Sequence, residues 1–215
     1  MEVALQSLPF LGKGLAITLQ VSALVVTISL IAGVALGVLL VYGPEPLRWL
    51  VRGYSDIIRG IPILVLIFAI YYGLPALHIN LSSLLAAVTA LSMFTTAQVI
   101  ETTRGAIQSI HHGQMEAGKA IGLTIGQRQR YVVFPQALRR FLPPWINSVT
   151  DAVKGSALVS LVGVVDLMLA IQQVIGRVYE PMPLYLLGAA IYFAINYSLS
   201  SLSRRLEQHF AYIRE

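Results

Sequence analysis

Few side chains in the 215-residue chain can do chemistry: there is no cysteine, four histidines, and only 12% of the residues are charged. The lack of cysteine excludes disulfides, thiolate metal sites and cysteine nucleophiles. His78 stands by itself, and His111-His112 have no acidic or cysteine companion at ligand spacing, so no metal centre is expected. No Gly-x-x-x-x-Gly-Lys-Ser/Thr loop occurs, and nothing here can cradle nucleotide phosphates in the usual way. Asp151 and Lys154 stand three apart within the otherwise apolar stretch 141–165 and can neutralise each other on one helical face. Charges inside such a segment are functional candidates by default; a structural ion pair is the competing reading. An enzyme would need a nucleophile with a base, or clustered carboxylates and histidines at one depth. No histidine accompanies Asp151 and Lys154, so the chain is not expected to be an enzyme. Glu101 and Arg104, also three apart, read as a local pair rather than a gate. Thr95, Thr96 and Gln98 read first as interhelical hydrogen bonds and second as ligand contacts, and Asn196 reads as packing glue.

The elements that must position these residues are membrane helices. Hydrophobic residues make up 56% of the chain, its mean hydropathy is +0.74, and its charged fraction is well below the roughly 25% of a soluble domain. The charges are clustered, leaving 14–44, 60–100 and 181–203 without any. Crossing a hydrocarbon core of about 30 Å takes about 20 helical residues, so the first and last runs each supply one span and the 41 positions of the second supply two. The first run exceeds a signal-peptide core of about 7–15 residues and reads as a retained helix.

The spacing predicts an all-α polytopic protein, a single domain over 1–215, with five transmembrane helices at about 15–42, 54–75, 81–104, 144–165 and 183–203. Pro44 ends the first helix, since it lacks an amide donor and biases Gly43 away from helix. The second must be drawn back to Tyr54 because Gly60 to Leu74 alone is too short, with Asp56 and Arg59 snorkelling to the interface. Gly73-Leu74-Pro75 breaks the long run, residues 80–83 cap the third helix, and Pro143-Pro144 opens the fourth beside Trp145. With five spans, twelve of the 15 basic residues, from Arg48 to Arg214, fall on one side. That asymmetry predicts an outside N-terminus and a cytoplasmic C-terminus. It also accounts for the net charge of +5, so no nucleic-acid partner is expected.

Between the third and fourth helices lies a cytoplasmic loop, about 105–140, far longer than the roughly 2–8 residues a helix connection requires. Within it, residues 113–123 read as a short helix with Glu116 toward its positive end and small residues on one side. Gly122 suits a helix terminus or close backbone approach. Arg128, Arg130, Tyr131 and then Phe134-Pro135 follow. On these residues the chain resembles the transmembrane (permease) subunits of type I ABC importers for polar amino acids, the histidine, glutamine, arginine and glutamate permeases. Their loop begins Glu-Ala-Ala, with Gly six positions after the Glu and Pro thirteen after that; Glu116, Ala117, Gly122 and Pro135 stand at that spacing, with Gly118 in place of the second Ala. Arg59-Gly60-Ile61-Pro62 resembles the family's Arg-Gly-x-Pro at helix 2. Glu101, Arg104-Gly105 and Ile107 resemble its helix 3 exit, Gly113-Gln114 precedes the loop as in the family, and Asn147, Lys154 and Leu158 resemble its helix 4.

The resemblance implies a transport subunit of the bacterial inner membrane that works by alternating access. The loop would form a coupling helix in a groove of a separate ATPase dimer, which binds the ATP and Mg2+; Glu116, Ala117, Gly118, Gly122 and Pro135 are its coupling residues. Arg59, Pro62, Glu101 and Arg104 would be structural or gating. The other implied partners are a second permease, identical or paralogous, and a periplasmic or lipid-anchored binding protein. Ser148, Asp151, Lys154, Gly155 and Ser156, with Thr95 and Gln98, would line the path of a polar amino acid. Family members that carry cationic amino acids tend to have acids at positions matching Ser148 and Gly155, and neither is an acid here, which favours neutral or acidic substrates or a partner that holds the specificity. The outer segment 166–180, with Gln172, Gln173 and Arg177, either meets the binding protein or is a solvated amphipathic helix. An ion-driven secondary amino acid transporter is the alternative, but paired repeats are expected there and none is evident.

Overall fold

A computed structural model of the chain describes residues 7–211. The N-terminus and Arg214, both used in the orientation expectation, lie outside the described residues. Helix α1, Leu8–Tyr42, has 35 residues, about 52 Å at ~1.5 Å per residue. Its buried stripe is rich in small side chains, among them Gly14, Thr18, Ser22, Ser29, Gly33 and Gly37. A Cβ on Gly33 would lie 2.5 Å from the Val99 Cβ, and one on Gly37 2.5 Å from the Thr103 Cβ. Close approach of small residues is how helices associate where no hydrophobic drive separates them from lipid, and it presses α1 onto α4, Ser83–Gln108. Helix α4 is capped by Ser82, whose Oγ accepts from Leu85 N at 3.3 Å. Its Ala86, Ala87, Ala90 and Ala97 are fully buried at the centre of the main core.

The expected helix over 54–75 is corrected by two elements. Helix α2 is Glu45–Gly60 and α3 is Ile63–Phe68, continued by a π turn at Ala69–Gly73 and a 3-10 turn at Leu74–Leu77. The break falls at Ile61-Pro62, with Ile61 at φ −93°, ψ 129°, because a proline disfavours helix in the residue before it. The two parts meet at 105°. Tyr54 and Ser55 bond sideways onto α4, Tyr54 OH to Met93 O at 2.8 Å and Ser55 Oγ to Ala97 O at 3.4 Å.

The fourth helix differs as well. After the short α5, His112–Ala120, and α6, Ile125–Arg128, helix α7 runs Phe134–Gly155 and passes into a 3-10 segment, Ser156–Val162. Pro135, not Pro143-Pro144, occupies the first turn, and the proline pair is interior. Burial of Ala137 and Phe141, the latter against Val99 and Ala106, carries the helix through. The two missing amides would have served Arg139 and Arg140, which are exposed, where water can reach the carbonyls.

Helix α8, Leu167–Val178, is amphipathic: it buries Leu167, Ala170, Ile171 and Val174, and Gln172, Gln173 and Arg177 form its exposed face. Asp166 is fully buried at its N-cap. It accepts from Leu169 N at 3.0 Å and from Tyr192 OH at 3.4 Å, while Leu167 N donates to Thr18 Oγ1 at 3.0 Å. That polar joint ties α1, α8 and α9, Pro181–Ala211, together. Among the described residues all regular structure is helical. Leu8–Tyr42, Ser83–Gln108 and Pro181–Gln208 are each long and apolar enough to cross a membrane, and the two bent pairs raise the number to five if each is one span. Exposed Ile31 on α1 and Leu186 and Phe193 on α9 fit that setting, since hydrocarbon rather than water would meet them.

Candidate functional site

Helix α5 is built to be presented. His111 caps it, its Nδ1 accepting from Gly113 N at 3.1 Å. Its last turn closes with Gly122 N to Lys119 O and Leu123 N to Gly118 O, both 3.0 Å. That pairing is the Schellman arrangement, which needs a left-handed residue, and Gly122 supplies it at φ +83°. Thr124 and Gln127 then form a reciprocal capping box at the start of α6. Glu116 pairs with His112 at 3.2 Å on the outer face, and Ala117 is exposed beside it.

Gly118 is the one buried residue of α5. A Cβ there would come within 3.1 Å of Arg128 Cγ, so this glycine gives the Arg128 stem room to lie across the helix. From there Arg128 Nη1 reaches Met115 O at 3.5 Å. Further bonds tie α5 and the residues flanking the two short helices to the long ones. Arg140 donates to Ser109 O at the end of α4, Tyr42 OH at the end of α1 donates to Gln129 Oε1 at 2.9 Å, and Gln136 Nε2 reaches Gln114 Oε1 at 3.5 Å. Pro135 lies in the first turn of α7. Sequence reasoning missed Ile121 and Ile125, 77% and 68% exposed. Two large apolar side chains outside any apolar run, next to Glu116 and Gly122, are the signal that could have found them.

Where α2 ends, Glu101 gathers a second cluster. Its Oε2 accepts from Arg104 Nη2 at 2.6 Å and Nε at 2.9 Å and lies 3.9 Å from Arg59 Nη1, while Ser55 Oγ donates to Oε1 at 3.2 Å. The carboxylate thus joins α2 to α4 beside the Ile61-Pro62 break.

The residues expected to line a path are divided by the fold. Asp151 and Lys154 pair at 2.8 Å with both side chains more than half exposed, 56% and 58%. Ser148 is buried and donates to Pro144 O at 3.4 Å, and fully buried Ser156 donates to Val153 O at 2.8 Å. Gly155 faces Leu91 and Ile63, Thr95 is buried, and Gln98 is half-buried. Lys154 also borders a cavity of about 290 Å³ between α7, α8 and α9, lined mainly by Met168, Ile171, Tyr185 and Tyr192. An ion pair on an open face in the last turns of α7 is costly against lipid, so this face calls for water or another protein surface.

Comparison with known proteins places these features in context. Residues 14–212 match the family described as "Binding-protein-dependent transport system inner membrane component". The chain is 33% identical over 215 residues to the "Probable amino-acid ABC transporter permease protein YckA" of Bacillus subtilis (strain 168), covering 98% of this chain and 93% of that one. It is 35% identical over 205 residues to the "Probable glutamine ABC transporter permease protein GlnP" of the same organism, covering 94% of each. Among solved structures, a chain from the "Crystal structure of an amino acid ABC transporter with histidines" superposes with a TM-score of 0.90 at 32% identity, covering 96% of both chains.

Proposed function

Because the chain belongs to the family of binding-protein-dependent transport system inner membrane components, we propose that it is the permease subunit of an ATP-driven importer that moves a polar amino acid across the bacterial inner membrane by alternating access. One observation carries this reading: α5 is capped at both ends, bonded to α7 through Gln136 and Gln114, flanked by Ser109 and Gln129 that bond to α7 and α1, and buried only at Gly118. A helix of that kind transmits displacement to the long helices without deforming, and Glu116, Ala117, Gly122, Ile121 and Ile125 offer charge and apolar area for a soluble partner. The partner in this reading is an ATPase dimer holding ATP and Mg2+.

Two permease subunits enclose the path, and a binding protein delivers substrate from outside. Asp151 and Lys154 face the second subunit, where a substrate's ammonium and carboxylate find complementary charges. Ser148, Ser156 and Thr95 support the helices rather than line the path, since their burial within one chain leaves them no open surface. The absence of an acid at positions 148 and 155 and the glutamine named for one relative favour a neutral polar amino acid.

Two measurements test the proposal. Co-purification with the ATPase, followed by hydrolysis assays with binding protein and candidate amino acids, should show stimulation by a neutral polar substrate; exclusive stimulation by arginine or lysine would count against it. Gly122→Asp puts bulk and charge at the left-handed end of α5 and should abolish uptake while the protein still inserts. Normal uptake by that variant would reject the coupling role.

A further inference from the structure

We propose that α2 lies in the plane of the membrane interface and binds the headgroup of an anionic phospholipid between Arg48 and Arg52, a site that neither the transport reaction nor its coupling requires. Three stripes divide this helix. Val51, Ser55 and Ile58 are buried against the bundle. Glu45, Arg48, Arg52, Asp56 and Arg59 recur every three or four residues and share a second face. Leu50 and Ile57, 69% and 64% exposed, lie on a third with Pro46 and Gly53. Trp49, 64% exposed, sits at the seam between the charged and the open apolar stripes.

The helix also meets the adjoining Ile63–Leu77 segment at 105°. If that segment crosses the bilayer, α2 runs along its surface, where an apolar stripe, a charged stripe and a tryptophan at their border each meet the depth that suits them. Arg59 is engaged near Glu101, whereas among the described residues Arg48 and Arg52 form no ion pair with a carboxylate. Arg48 donates Nε to Leu40 O at 3.2 Å and retains further N–H donors. The Arg52 guanidinium carbon lies 5.8 Å from the centre of the Trp49 ring. These three residues and Glu45 line a depression of about 100 Å³. The lining of the depression holds two cations against one carboxylate, one net positive charge, with Asp56 a turn beyond Arg52 outside it; that lining matches a lipid of net charge −1 better than a zwitterion.

The full-length Trp145→Phe variant, with Trp49 its one tryptophan, is reconstituted in vesicles containing bromine-labelled phosphatidylglycerol or, at equal mole fraction, bromine-labelled phosphatidylcholine. Quenching of Trp49 should report an association about fivefold stronger for phosphatidylglycerol, the factor that corresponds to ~1 kcal/mol for one cationic charge at an anionic surface. Adding Arg48→Gln and Arg52→Gln should remove the preference. Equal quenching by the two lipids overturns the proposal, as does quenching by neither, which would mean that another protein surface covers α2. Should Trp145→Phe fail to fold, native mass spectrometry of the unmodified chain decides. Loss of retained phosphatidylglycerol in the Arg48→Gln/Arg52→Gln variant supports the site, and equal retention overturns it.

Discussion

Glu101 shows how much one carboxylate can hold. From the sequence it pairs locally with Arg104, and that pair is present, but the fold adds Ser55 and Arg59 from α2, residues distant in the chain. Glu101→Gln keeps the shape and one acceptor while leaving two guanidinium groups uncompensated. Both are partly exposed, 46% for Arg59 and 36% for Arg104, so water recovers part of the loss and the expected cost is about 1 kcal/mol. For a chain of this size that lowers the thermal midpoint by about 2–4 °C, measurable in detergent; an unchanged midpoint would show that the cluster does not hold α2 to α4. Gly118 teaches a related lesson. Its helix propensity alone counts it as a loss of about 1 kcal/mol relative to alanine, whereas in three dimensions its missing Cβ is the space in which Arg128 lies.

At the level of elements, the contact between α1 and α4 rests on Gly33 and Gly37. A Cβ on Gly33 would fall inside van der Waals distance of Val99, so Gly33→Val must push the helices apart at a cost of about 1–3 kcal/mol or more. Gly12, in the same helix, has nothing within 4 Å of where its Cβ would be. Gly12→Val should therefore leave the unfolding midpoint in detergent unchanged while Gly33→Val lowers it, and equal effects would remove the packing argument. The break at Ile61-Pro62 also belongs to this scale. Residues on its two sides read as one span when only length is considered, and the backbone restriction imposed by proline divides them.

For the whole molecule, the testable property is which end faces which compartment. The chain has no cysteine, so single cysteines report position without background. Ile121→Cys in the α5–α6 turn and Tyr179→Cys after α8 both replace exposed residues, 77% and 84%. In intact cells a membrane-impermeant maleimide should label Tyr179→Cys and spare Ile121→Cys until the membrane is opened; the reverse pattern would overturn the orientation that the coupling role needs. The amino-acid sequence by itself determined what depends on neighbours along the chain: apolar runs long enough to span, the stop of α1 before Gly43-Pro44, and the spacing of Glu116, Gly122 and Pro135. Only the tertiary structure decided what depends on which surfaces other helices cover. Phe141 packs against α4 and draws α7 through Pro143-Pro144, Asp166 is enclosed among α1, α8 and α9, and of the polar residues near Lys154, Ser148 and Ser156 turn inward while Asp151 stays on the open face. Helix periodicity can say that two side chains share a face, but what that face meets is set by burial, and burial belongs to the packed molecule.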